Sequence, residues 1–245
     1  MFDVTNKLAV QSWCFRAFKP LPDLIHQIKA IGLKRVELCG VHAEFGDEAK
    51  FESVLGTFKD AGVKVASIGV QYFQGVPDEE KWFKFAKQAG ATMISTSFSL
   101  EAFPDVLPTT AKLAEKYDLN LGIHNHGGYD WLGNEAMLTY VLKNNSPRIG
   151  MCIDSAWALQ AGQNPVKWAE KFNDRLFGVH IKDFVFGRDG KPEDVVVGTG
   201  NLKLAEFMAL VNKAPKCQAI TLEYEGDENN PGPKLKECVE RIAAI

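Results

Sequence analysis

The chain has 245 residues, 46% hydrophobic and 24% charged, with 28 basic and 31 acidic side chains and a formal net charge of -3. That composition is ordinary for a globular protein able to bury a large core without cross-links. No basic block offers a footprint for a nucleic-acid backbone, and no apolar run approaches the ~20 residues of a membrane span.

The chain opens on an apolar strand, Leu8–Trp13. A helix is expected over Pro20–Ile31, where Leu21, Leu24, Ile25, Ile28 and Ile31 recur at three- and four-residue spacing. Gly32 closes it, as glycine does just past a helix. The spacing then predicts strand Val36–Cys39, helix Asp47–Ala61, strand Val63–Val70 and helix Pro77–Ala89. That last helix has proline near its start, Asp78, Glu79 and Glu80 in its first turn and Gly90 after its end. Next come strand Thr92–Ser97, helix Val106–Tyr117, strand Leu119–His124, helix Asn134–Lys143 and strand Arg148–Asp154. The remaining elements are helix Pro165–Phe172, strand Leu176–Ile181, helix Leu202–Lys213, strand Ala219–Glu223 and helix Pro233–Ala244.

Eight strands alternating with eight helices predict parallel β/α units. Their number favours an α/β fold closed as a (β/α)8 TIM barrel, one domain over residues 1–245. An open doubly wound sheet is the alternative, although no GxGxxG follows the first strand. The longest irregular stretches are Phe184–Asn201 and Gly226–Pro231, where a barrel carries its active-site loops.

Four consecutive apolar runs end in polar side chains. One ends in His124-Asn125-His126, the next in Asp154, the next in His180-Ile181-Lys182-Asp183, and the last in Glu223-Tyr224-Glu225. In a closed barrel these strand ends are neighbours on one rim, so His124, Asp154, His180 and Glu223 are expected to bind one divalent metal. Singly, each has a blander explanation: a hydrogen-bonded histidine, or for Asp154 a helix N-cap. Two positions below each ligand stand Gly122, Cys152, Gly178 and Thr221. These small residues either leave room beneath the ligands or accept side chains packed from other strands. The nitrogen and carboxylate donors suit Mn²⁺ or Zn²⁺ best, then Co²⁺ or Mg²⁺.

The string Gly178-Val179-His180-Ile181-Lys182-Asp183, followed by Gly198-Thr199-Gly200-Asn201-Leu202, resembles the xylose-isomerase-like TIM-barrel superfamily. The resemblance runs from Val10-Gln11-Ser12-Trp13 to Leu222-Glu223-Tyr224-Glu225. It implies an isomerase or epimerase of a small sugar, sugar phosphate or keto-polyol. A lyase of inosose-dehydratase type, an endonuclease IV type nuclease and a non-catalytic sugar-binding barrel are the competing implications. The nuclease needs more histidines than the five present. The family ligand set carries over to Asp154, His180 and Glu223. It departs at His124, where the family commonly has glutamate, so a two-carboxylate epimerase mechanism does not transfer.

The chemistry expected is proton transfer next to a metal-chelated carbonyl. Glu223 is the expected base, with His126 opposite. Lys182 is expected either to stabilise an oxyanion or to be a solvated rim residue. Glu37 is expected either to accept a substrate hydroxyl or to form a structural ion pair. Trp13, Phe15, Tyr72, Trp131 and Trp157 fall near strand ends, where one or two can stack on a sugar. Loops 127–132 and 184–201 are expected to close over the substrate. The partner expected is a small carbohydrate, with neither nucleic acid nor membrane, and a homo-oligomer is left open. Cys14, Cys39, Cys152, Cys217 and Cys238 form no CxxC pair and read as reduced thiols. The start, Met1–Lys7, lacks the basic and apolar regions of a signal peptide, so the expected location is cytoplasmic.

Overall fold

The computed structural model describes residues 2–245. The barrel strands are β1 Leu8–Gln11, β2 Arg35–Leu38, β3 Lys64–Phe73, β4 Met93–Phe98, β5 Asn120–His124, β6 Ile149–Asp154, β7 Leu176–Ile181 and β10 Ala219–Leu222. All neighbours pair in parallel and β10 pairs with β1, so the sheet closes on itself and the open-sheet alternative falls. Between β7 and β10 lies a separate antiparallel hairpin, β8 Asp183–Phe186 with β9 Pro192–Val195. It corrects the expectation of an irregular segment from Phe184 onwards.

The outer helices are α1 Val4–Lys7, α2 Leu21–Ala30, α3 Phe51–Asp60, α4 Glu80–Ala89, α5 Val106–Tyr117, α6 Glu135–Asn144, α7 Ser155–Gln160, α8 Pro165–Lys171, α9 Leu204–Val211 and α10 Gly232–Ala243. Each long helix turns one stripe to the sheet. In α10 the stripe is Leu235, Cys238, Val239 and Ile242, all buried. Each fully buried leucine- or isoleucine-sized side chain stabilises by ~1.5–3 kcal/mol. Among the described residues no helix is long and apolar enough to cross a membrane.

Two short helices, α1 and α7, escape the periodicity because each is under two turns long. Glu79 also takes a role beyond the expected one. Its carboxylate accepts the backbone N–H groups of Gln74, Gly75 and Val76 at 2.6, 3.0 and 3.2 Å, so it caps the preceding loop as well as complementing the helix dipole. Gly90 ends α4 at φ 70°, a left-handed conformation that a side chain disfavours.

The barrel floor is filled, not hollow. Met93 of β4 packs under the site with Cys152, Phe177 and Ala219. A Cβ at Gly178 would lie 2.8 Å from the Met93 sulfur, and one at Gly122 would lie 3.2 Å from its Cε. The small residues below the ligands therefore accommodate a side chain from another strand. Open space begins only above the ligand layer.

Candidate active site

Strand register brings the polar ends together. Asp154 is level with His180 across β6 and β7, and Thr221 is level with His180 across β7 and β10, which lifts Glu223 one step higher. Ligating atoms of His124, Asp154, His180 and Glu223 all lie within 4.8 Å of one another, and all four residues are buried. His124 Nε2 is 3.0 Å from His180 Nδ1 and 3.4 Å from Asp154 Oδ2, and His180 Nδ1 is 2.5 Å from Glu223 Oε2.

Asp154 divides its two oxygens. Oδ1 accepts the N–H groups of Ala156 and Trp157 at 2.9 and 2.8 Å and so caps α7. Oδ2 is buried without a hydrogen-bond partner and turns toward His124. An orphaned buried carboxylate oxygen costs free energy unless something cationic meets it. Together with the His124 and His180 imidazole nitrogens and the Glu223 carboxylate it makes a donor set of two nitrogens and two carboxylates, which fits one divalent ion.

Behind His180 sits a second layer built by β1, β2 and β3, where Gln11, Glu37 and Ser67 are register partners. His180 Nε2 is 2.8 Å from Glu37 Oε1, which also accepts from Gln11 Nε2 at 2.8 Å, while Ser67 Oγ donates to Glu37 Oε2 at 2.5 Å. Glu37 is fully buried and lies outside the cavity wall, so its carboxylate faces the back of the His180 ring. Burial raises a carboxyl pKa, but His180 and Ser67 outweigh it and hold Glu37 below the ordinary value. Burial likewise disfavours the His180 imidazolium. Glu37, Cys152 and Glu223 outweigh that too, and hold its pKa well above the ordinary value.

Lys182 is fully buried, which removes the solvated-rim alternative. Its ammonium lies 3.3 Å from Glu223 Oε1 and 3.5 Å from Asp194 Oδ2, and pairs with Glu225. It also stands 5.7 and 5.6 Å above the rings of Trp157 and Phe184. Burial alone would depress it, but Glu223, Asp194, Asp154 and Glu225 together raise it, so it stays a cation. Burial pushes the Asp194 carboxyl up to about 7, against the pull of Lys182.

Above the ligands opens a cavity of about 500 Å³, walled by Trp13, Val41, Val70 and Trp157 and reached by His124, His126, Glu223 and Glu225. Burial, with His124 alongside, brings the His126 imidazole down to about 4, so it is neutral at pH 7. Of the five aromatic candidates, Trp13 and Trp157 line the cavity. Phe15 is core, Trp131 packs against Phe103 with its N–H on Phe98 O, and Tyr72 lies exposed outside the lining. Gln11, Cys39 and Asp194 were not among the expected site residues. They reach the site only because separate strands and the hairpin meet there.

The HxKD and GxGN strings also gain a physical meaning. Asp183 Oδ2 accepts from Gly198 N and Gly200 N at 2.9 Å each, and its Oδ1 accepts from Leu202 N at 2.8 Å. A Cβ at Gly200 would lie 2.6 Å from Asp183 Oδ1, so glycine there permits the close approach.

Fold and site together define a (β/α)8 barrel with a candidate metal centre at the C-terminal rim. The sequence matches the description "Xylose isomerase-like TIM barrel" over residues 25–245, and the chain belongs to that family. No curated protein gives a significant match. Solved structures similar to it include the IOLI protein with a bound zinc atom, at 14% identity and TM-score 0.77 over 97% of this chain and 96% of that one. The probable 3-DHS dehydratase AsbF of Bacillus anthracis has 16% identity and TM-score 0.76 over 97% and 98%. A sugar phosphate isomerase/epimerase of Parabacteroides distasonis ATCC 8503 has 15% identity and TM-score 0.74 over 98% and 97%. At these identities the likeness concerns the fold.

Proposed function

We propose that this chain is a divalent-metal-dependent isomerase or epimerase of a small sugar, sugar phosphate or keto-polyol, working by proton transfer next to a carbonyl. One observation carries the proposal: His124, Asp154, His180 and Glu223 converge within 4.8 Å at the base of an open cavity. These four would hold the ion, with Zn²⁺ or Mn²⁺ ahead of Co²⁺ and Mg²⁺ for this donor set. Bound there, it supplies Lewis-acid polarisation of a carbonyl oxygen, which acidifies the neighbouring C–H.

Glu223 turns Oε2 to His180 and Oε1 to Lys182, and it lines the cavity. Oε1 is the proton acceptor. Lys182 lies outside the cavity lining, so it keeps Glu223 ionised and fixed in place. His126 reaches the cavity from β5 and carries the second proton. Glu37 positions the His180 ring, as a carboxylate behind a ligating imidazole does. Trp13 and Trp157 shield the reacting carbon from water. The zinc bound by IOLI and the similarity to a sugar phosphate isomerase/epimerase support this reading.

A metal-dependent lyase or dehydratase is the second reading. It is favoured by His124 standing where the family commonly has glutamate, which removes a paired carboxylate, and by the similarity to AsbF, a probable 3-DHS dehydratase. Both readings begin with the same proton abstraction. The test incubates metal-loaded protein with ketoses and keto-polyols in heavy water, followed by NMR. Deuterium at the carbon next to the carbonyl with a rearranged product supports isomerisation, and loss of water supports the lyase. No exchange with any such compound overturns both.

A further inference from the structure

The proposed site also has a charge arrangement that narrows its substrate. Neither lysine nor arginine lines the cavity among the described residues, whereas the carboxylates Glu223 and Glu225 do. The two nearest cations are already engaged. Lys182 is enclosed by Glu223, Glu225 and Asp194. Arg16 donates to Glu225 O at 3.1 Å and Glu228 Oε2 at 3.3 Å while its guanidinium covers the Trp13 ring.

Barrels commonly seat phosphate on backbone N–H groups at the loops after the seventh and eighth barrel strands and at a short helix N-terminus. Here the chain's own carboxylates occupy donors of that kind after the sixth and seventh barrel strands. Asp154 takes Ala156 N and Trp157 N at the start of α7. Asp183 takes Gly198 N, Gly200 N and Leu202 N in the glycine loop after β7. The loop after β10 carries Asp227 and Glu228 and is itself acidic.

We infer that the substrate of this pocket is an uncharged polyhydroxylated carbonyl compound, carrying no phosphate. This rests on the cavity being the substrate site. A phosphate dianion held away from the metal ligands would meet Glu223 and Glu225 in a partly desolvated space with no lysine or arginine on the lining to pair with it. A neutral polyol instead donates hydroxyl hydrogens to those same oxygens. Its C–H faces lie on Trp13, Val41, Val70 and Trp157, the apolar walls with few polar anchors typical of a small-molecule site.

The experiment uses zinc- or manganese-loaded protein, dialysed free of excess metal. Calorimetry measures binding of D-fructose against D-fructose 6-phosphate and of D-ribulose against D-ribulose 5-phosphate, and heavy-water exchange is followed in parallel. The neutral member of a pair is expected to bind about tenfold or more tightly than its phosphate. Glu225→Gln should shrink that gap at least about threefold by removing one repelling charge. Equal or tighter binding of the phosphates, or binding by no member of either pair, overturns the inference. Binding of the neutral sugars without exchange leaves the substrate class standing and removes the proposed reaction instead.

Discussion

Two carboxylates near His180 do different work. Glu37 touches the outer ring nitrogen and Glu223 the inner one. Glu37→Gln keeps the size but presents a neutral amide to the ring. We expect metal affinity to fall about 10–100-fold with the fold intact, as for other partners behind ligating histidines. Competitive chelator titration with circular dichroism measures both, and unchanged affinity would return Glu37 to a purely structural role. Glu223→Gln, once shown to retain metal, should abolish solvent isotope exchange at the substrate carbon. His126→Asn should keep exchange if one base suffices and lose it if the reaction needs two. Full exchange in the glutamine variant would remove Glu223 from the base role.

At the scale of elements, the hairpin β8–β9 is tied down from both ends. Asp183 anchors the glycine loop that follows it, and Asp194 reaches Lys182 from its second strand. Asp183→Ala leaves three backbone N–H groups without their acceptor. Each lost buried hydrogen bond of this kind costs about 1–3 kcal/mol, less whatever water recovers at the loop. We expect a loss of about 2–4 kcal/mol in urea unfolding and reduced turnover. Shortening the hairpin between Phe186 and Pro192 should impair turnover more than stability, because that tip lies outside the barrel pairing. Unchanged kinetics would move the substrate cover to another loop, such as the one after β5.

For the whole molecule, the four candidate ligands stand at the ends of four strands of one closed sheet, so an ion bound there would join β5, β6, β7 and β10. Binding to the folded state alone stabilises it by mass action, about 2.7 kcal/mol at a hundredfold excess over Kd. Zinc or manganese should therefore raise the melting temperature of chelator-stripped protein, and Asp154→Asn should blunt the rise. A mild purification should retain about one equivalent of metal per chain by elemental analysis. A stripped, folded protein whose melting point ignores all of these cations would defeat the metal proposal.

Alternation of strands and helices, each carrying its own periodicity, was readable in the chain because burial of one face is a local pattern. The count of eight then implied closure, and the polar strand ends implied a rim site, since parallel strands all finish on one side. Other features depended on contacts distant in sequence. Whether Gly122 and Gly178 left a void depended on Met93 of β4, one strand away from the first and three from the second. Whether Lys182 faced water depended on Asp194 of the hairpin and Glu225 beyond β10. Asp154 was open to two roles in sequence because a carboxylate has two oxygens, and only the tertiary arrangement turns one to the helix and the other to His124. Local pattern determined the strands and the order of the ligands. Register and closure decided which charges meet, because that depends on distances across the barrel that no neighbouring residue encodes.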